Sequence, residues 1–180
     1  MIYVFLAEGF EEMEAIAPID LLRRAGCDVK TVAVGDSLVV CGAHGIAVTA
    51  DMLEADVTTA SLEAVVLPGG MPGTLNLEAS EIVQNMIGYA YEHDLVLGAI
   101  CAAPSVLGHR GFLDGKRAVC YPGFEDQLYG ATVEKSSVVT DGHIITAKGA
   151  GVADAFGLAL VAALVSKEKA DTLREVIQCK

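Results

Sequence analysis

The sequence predicts a single α/β domain, residues 1–180, built on one doubly wound and mainly parallel sheet. Three observations predict it: short Val-, Ile- and Ala-rich runs that read as strands covered on both faces, helical patterns between them, and 53% apolar residues in a 180-residue chain. No internal repeat, linker or low-complexity tract divides the chain.

The elements follow in order. Ile2 to Leu6 is the first near-continuous apolar run, and Glu11 to Ala25 then repeats apolar positions at helical spacing (Met13, Ile16, Ala17, Leu21) until Gly26 stops it. Val29 to Val34 is the second strand. Val39-Val40 and Ile46 to Val48 flank a Cys-Gly-Ala-His-Gly turn and predict a small hairpin insertion. Ala64 to Leu67 is a third strand, ending on paired glycines; Ser80 then caps a helix running to His93. Leu95 to Ile100 follows as a strand. Ala131 to Val133, Ser137 to Thr140 and Ile144 to Ala147, with Asp141-Gly142 between the last two, predict a short hairpin region. Val152 to Val165 is apolar almost all round, which predicts a buried helix, and a charged helix from Lys167 to about Gln178 closes the chain.

Charge and cysteine usage exclude several classes. With 24 acidic against 12 basic residues the chain carries −12, which repels phosphate backbones and anionic membrane surfaces, so neither nucleic acid nor membrane is expected as a partner. The first eight residues contain no basic region of the kind a signal peptide needs. The apolar stretch Ala155 to Val165 is about half the roughly 20 residues that span a bilayer. Cys27, Cys41, Cys101, Cys120 and Cys179 form no C-x-x-C pair and are odd in number, which favours free thiols in a reducing, cytoplasmic compartment.

One cysteine has a chemical context. Cys101 joins the strand ending at Ile100 to a helix with Pro104 in its first turn, as in a nucleophile elbow, where the residues two before and two after the nucleophile must be small; Ala99 and Ala103 are. The helix N-terminus favours a thiolate, so Cys101 is expected to ionise below the ordinary cysteine value. The carboxyl ends of strands in open α/β sheets face the ligand crevice, which places Cys101 at a candidate site. The alternative is a core cysteine that merely ends a strand.

Two further strand ends point there. Glu8, Glu11, Glu12 and Glu14 follow the first strand, and Pro18, inside the helical pattern, cannot donate to the Glu14 carbonyl, which marks Glu14 as a point of local distortion. A partly desolvated glutamate beside a thiolate holds a proton near neutral pH and can donate it to the sulfur. The alternative is an ordinary acidic helix start. Leu67-Pro68-Gly69-Gly70 ends the third strand, and the Gly70 and Ala102 N–H groups together suit an oxyanion hole, against the alternative of a plain glycine turn.

Taken together, Glu11-Glu12-Met13-Glu14, Arg23-Arg24-Ala25-Gly26, Leu67-Pro68-Gly69-Gly70, Ala99-Ile100-Cys101-Ala102-Ala103-Pro104 and Lys148-Gly149-Ala150-Gly151 resemble, in order and over nearly the whole chain, the ThiJ/PfpI superfamily. The resemblance is to bacterial-type members of the branch containing the Parkinson-associated DJ protein. It implies a flavodoxin-like, class I glutamine-amidotransferase-like three-layer αβα sandwich, a homodimer with the Met13 region at the interface, a working pair of Cys101 and Glu14, and no cofactor. It also implies a choice of functions: glyoxalase or deglycase activity on methylglyoxal or glycated thiols and amines, oxidation sensing through Cys101, and chaperone behaviour. Names referring to thiamine or thiazole monophosphate synthesis are attached to the family as well.

Two departures from the family pattern bear on chemistry. Many relatives carry a histidine before the proline that follows the next strand; here Cys120-Tyr121-Pro122 puts Tyr121 in that pocket position, a hydrogen-bond donor but a poor base. Ala102 stands where the peptidase-like branch has histidine, so a peptidase reading loses its base. The C-x-x-H spacing of Cys41 and His44 has no companion among His93, His109 and His143, and no metal is expected.

Overall fold

The computed structural model describes residues 1–179. Eleven strands and six helices alternate along them: β1 (Ile2–Leu6), α1 (Glu12–Ala25), β2 (Val29–Ala33), β3 (Val39–Cys41), β4 (Ala47–Thr49), β5 (Met52–Leu53), β6 (Ala64–Leu67), α2 (Gly73–Ala79), α3 (Glu81–Glu92), β7 (Val96–Ile100), α4 (Pro104–His109), β8 (Arg117–Ala118), β9 (Thr132–Val133), β10 (Val138–Asp141), β11 (Ile144–Ala147), α5 (Ala153–Leu164) and α6 (Lys167–Val176). Seven strands form the central sheet in the order β10-β11-β7-β6-β1-β2-β5. Every pair is parallel except the β10–β11 hairpin at one edge.

The apolar runs explain why the sheet is covered twice. Along β1, Ile2, Val4 and Leu6 point into a core shared with Leu22 of α1 and Phe156 and Leu160 of α5. Tyr3 and Phe5 point the other way, into a second core with Ile87 of α3 and Val106 and Leu107 of α4. The period of two therefore distributes apolar side chains to both faces, and a helical layer buries each. Gly157 sets the spacing of α5 against α1: a Cβ there would lie 2.9 Å from Pro18 Cα and 2.7 Å from Leu21 Cδ1. Helix α1 runs through Pro18 without interruption, its N-cap Glu11 accepting from the Glu14 N–H and its end closed by Gly26 in the left-handed conformation.

The structure departs from the sequence reading in the short elements. Helix α2 and strand β5 were not expected. Thr132–Val133 does not join the hairpin formed by β10 and β11 but pairs in parallel with β8. The β3–β4 hairpin forms as expected and packs on the start of α1, where Ala43 N–H donates to the Phe10 carbonyl at 2.8 Å. Among the described residues, no helix is long and apolar enough to cross a membrane.

Candidate active site

The site lies at the carboxyl ends of four neighbouring strands, β11, β7, β6 and β1. Chain order reverses direction between β6 and β1, which is where open α/β sheets form their ligand crevice.

Cys101 follows β7 with φ +66°, a left-handed conformation that residues with a Cβ seldom adopt. Three backbone bonds hold it there. Cys101 N–H donates to the Ala147 carbonyl at 2.9 Å, Tyr121 N–H donates to the Cys101 carbonyl at 2.8 Å, and Ala103 N–H donates to the Ile100 carbonyl at 3.1 Å. Such strain persists only where the surroundings over-determine it. Ala99 and Ala103 are fully buried on either side, so the turn has the small neighbours that an elbow needs. The partly exposed sulfur accepts from the backbone N–H groups of Ala102 and Gly70, the two donors singled out from sequence.

Glu14 reaches the sulfur from α1 and is 1% exposed. Its Oε2 accepts from Gly69 N–H at 3.0 Å; Ala150 N–H also donates to the carboxylate, and the Cys101 thiol is its third partner. Gly69 is what allows this approach. A Cβ there would stand 2.5 Å from Glu14 Oε2 and 2.6 Å from Cys101 Cβ, so only glycine fits between nucleophile and acid.

The electrostatics correct one expectation. Burial pushes Glu14 up to about 7; the Glu11 charge adds to the rise, and the bonds from Cys101, Gly69 and Ala150 oppose it. Burial, then the Glu14 charge and the hydrogen bond to it, push the Cys101 thiol up to about 12 against the pull of the Ala102 and Gly70 N–H groups. Cys101 therefore does not ionise below the ordinary cysteine value. Helix α4 has six residues and no side-chain cap, and its short dipole does not offset desolvation beside a carboxylate. Between about pH 7 and 12 the pair holds one proton, and moving it along the S···O hydrogen bond converts thiol and carboxylate into thiolate and acid.

Tyr121 is 50% exposed, and its ring covers Gly149. A Cβ on Gly149 would lie 3.3 Å from Tyr121 Cδ2 and 3.7 Å from Glu14 Oε1, so this glycine separates the ring from the carboxylate. Tyr121 and Pro122 form, with residues 148–152, the wall of a cavity of about 370 Å³. The Gly149-Ala150-Gly151 turn presents the Ala150 N–H to the Glu14 carboxylate.

His44 does have companions that its local spacing conceals. Ligand atoms of Glu11, Glu12 and His44 lie within 4.8 Å of one another. Glu12 accepts from His44 N–H at 2.7 Å and faces His44 Nδ1 at 2.8 Å, which ties the hairpin tip to α1. That bond and the Glu12 charge raise the His44 pKa.

A match to the DJ-1/PfpI family runs over residues 1–163 and takes in every segment that meets at the sulfur. The chain belongs to the DJ-1/PfpI family. The resemblance read from its motifs and the flavodoxin-like sandwich it implied are both borne out. Within the DJ-1/PfpI family, the chain is 38% identical over 175 residues to protein DJ-1 homolog A of Arabidopsis thaliana, covering 96% of this chain and 45% of that protein. It thus spans less than half the length of that relative. It is 32% identical over 155 residues to an archaeal deglycase of Pyrococcus abyssi, covering 83% and 90% of the two chains. Its fold matches oxidized Toxoplasma gondii DJ-1 with a TM-score of 0.94 at 34% identity, over 98% and 97% of the two chains.

Proposed function

We propose that this DJ-1/PfpI protein is a cysteine-dependent enzyme that converts small 2-oxoaldehydes such as methylglyoxal, free or released from their adducts, into 2-hydroxy acids. The observation that carries the reading is the Cys101–Glu14 pair, hydrogen-bonded, sharing a proton, and flanked by the Gly70 and Ala102 N–H donors. A relative named as a deglycase supports it.

Glu14 takes the thiol proton as sulfur attacks the aldehyde carbon, and the Gly70 and Ala102 N–H groups hold the oxyanion formed on that carbon. Glu14 first passes the thiol proton to that oxyanion, giving the neutral hemithioacetal. As a carboxylate again, it removes the carbon-bound proton and returns it to the neighbouring ketone carbon while the hydroxyl proton passes from the first oxygen to the second; C1 is oxidised to a thioester as C2 is reduced to an alcohol. Water cleaves the thioester, releasing lactate and the thiol. No outside oxidant or reductant enters this balance. Tyr121 acts as a wall rather than a base, since its ring is turned to Gly149 and a phenol is a poor base at neutral pH. The test is lactate formation from methylglyoxal by the protein and by Cys101→Ser. Activity lost at least a hundredfold in the variant is expected, and equal or absent lactate from both defeats the reading.

A second reading, an oxidative-stress sensor or redox-regulated chaperone, is favoured by one observation. The donors around the sulfur, together with protonated Glu14, also suit the oxygens of a Cys101 sulfinate. Mild peroxide would then add two oxygens at Cys101 and spare the other four cysteines, read by mass spectrometry. For assembly, the exposed Met13, Ile16 and Ile46 line an apolar cavity of about 570 Å³ on α1, which supports a homodimer formed over this face. Cys27, Cys41, Cys101 and Cys120 as free thiols fit a cytoplasmic setting.

A further inference from the structure

Helix α1 carries an uncommon cap. Ser, Asp and Asn are the preferred N-caps, because a short side chain puts its oxygen on a first-turn N–H with little conformational freedom to lose. Glu11 does the same work with a longer arm: its Oε2 accepts from Glu14 N–H at 2.7 Å, and its side chain is only 15% exposed. A serine there would satisfy the N–H without the cost of keeping a carboxylate largely out of water. What the carboxylate adds is a negative charge beside Glu14.

The bonds around this cap close a ring. Glu14 N–H donates to Glu11 Oε2, Glu11 N–H donates to the Gly69 carbonyl at 2.9 Å, and Gly69 N–H donates to Glu14 Oε2 at 3.0 Å. The end of β6 thus holds the start of α1, the cap holds the backbone of Glu14, and the Glu14 carboxylate returns to the end of β6. Gly70, whose N–H reaches the sulfur, packs on the same residue, since a Cβ there would collide with the Glu11 nitrogen. Glu11 therefore touches both the acid and the loop that carries an oxyanion donor.

Titratable groups face Glu11 from two elements. Glu12 and Glu14 do so from α1 and His44 from the tip of the β3–β4 hairpin, with its Nδ1 4.0 Å from Glu11 Oε1; Cys101 stands behind Glu14 as its hydrogen-bond partner. His44 has Glu12 as its nearer partner at 2.8 Å, and its side chain is 69% exposed, so its charge is shared and screened by water. Glu11 and Glu14 are shielded by protein instead, where like charges repel more strongly. A proton on Glu14 relieves that repulsion.

We infer that Glu11 is a positioning residue for the Cys101–Glu14 pair: from the cap of α1 it seats Glu14 and, by its charge, tightens the hold of Glu14 on a proton. The inference concerns the pair itself and not the aldehyde that the pair is proposed to consume.

Three substitutions separate cap from charge. Glu11→Asp keeps a capping oxygen and the charge, Glu11→Ser keeps a capping oxygen alone, and Glu11→Ala keeps neither. The pH at which Glu14 is half-protonated is read by carbon NMR of protein labelled at the glutamate Cδ, its resonance being the one missing from Glu14→Gln. The expected midpoint is about 7 in the native protein, close to that in Glu11→Asp, and lower by about 1 pH unit in Glu11→Ser. Equal midpoints in Glu11→Asp and Glu11→Ser overturn the role of the charge. Iodoacetamide labelling tests the seat: in Glu11→Ala the Cys101 thiol is expected to titrate at a lower pH than in Glu11→Ser, because an unseated Glu14 leaves the sulfur. Equal values there overturn the seating. Neither measurement needs turnover, so this inference and the aldehyde reaction fail separately.

Discussion

At the scale of single residues, the pairing of Cys101 with Glu14 makes opposite predictions for two kinds of reactivity. Glu14→Gln removes the charge that helps hold the thiol near 12, so the pKa read from pH-dependent iodoacetamide labelling is expected to fall. The same change removes the proton carrier, and lactate formation is expected to drop by a factor of about 10² to 10⁴. If the proposed reaction holds, kcat/KM of the native protein is expected to rise with pH through about 7, as Glu14 loses its proton and becomes a base, and the variant to lack this limb. Stability moves the other way. Glu14 binds its proton more tightly folded (about 7) than unfolded (4.5), so the folded state gains from it at low pH, and stability falls by on the order of 3 kcal/mol as pH rises across that window. Urea unfolding at pH 5 and pH 8 is expected to show this loss in the native protein and not in Glu14→Gln. Cys101, Gly70 and Ala102 could be singled out because each lies at or just after a strand end with a recognisable neighbour pattern, and Glu14 because it stands in the first turn of the helix that follows β1. The direction of the thiol shift was not legible, because it depends on how deeply a folded site excludes water.

Among the elements, those with a long enough pattern were legible and those without one were not. Strands β1 and β6 were bounded to the residue by their apolar runs, and α3 by its Ser80 cap, which accepts from Val83 N–H. Strands β5 and β8 are two residues long and carry no periodicity; β9 falls within the expected Ala131 to Val133, but its pairing with β8 was not legible; and α2 has seven residues, has Pro72 as an N-cap with no side-chain bond and follows a glycine-rich turn. The Glu12–His44 tie joins residues 32 apart, a proximity that only packing creates. Packing also sets the seat of Glu14. Gly157→Ala would press its Cβ against Pro18 Cα, a backbone atom that cannot yield as the tip of Leu21 can, so a loss of about 1–3 kcal/mol is expected in urea unfolding. Because α1 carries Glu14, lactate formation is expected to fall with it.

For the whole molecule, surface charge and the exposed apolar face on α1 make a joint prediction. A chain of −12 resists indiscriminate association, so the proposed dimer requires apolar burial that outweighs repulsion, and Met13, 59% exposed, is one of the residues lining such a face. Met13→Glu is expected to convert a dimer into a monomer in sedimentation velocity. An unchanged dimer would move the interface elsewhere.

The bonds that fix the elbow also carry a timing consequence. Ala147 and Tyr121, which grip Cys101 from either side, are both made after it, the first by 46 residues of chain. At about 5–20 residues per second, the ribosome leaves the nascent thiol without its clamp for several seconds. During that interval it is a cysteine like any other, open to electrophiles without the neighbours that set its protonation. The newborn polypeptide thus exposes its thiol to chemical attack before the folded site can govern it.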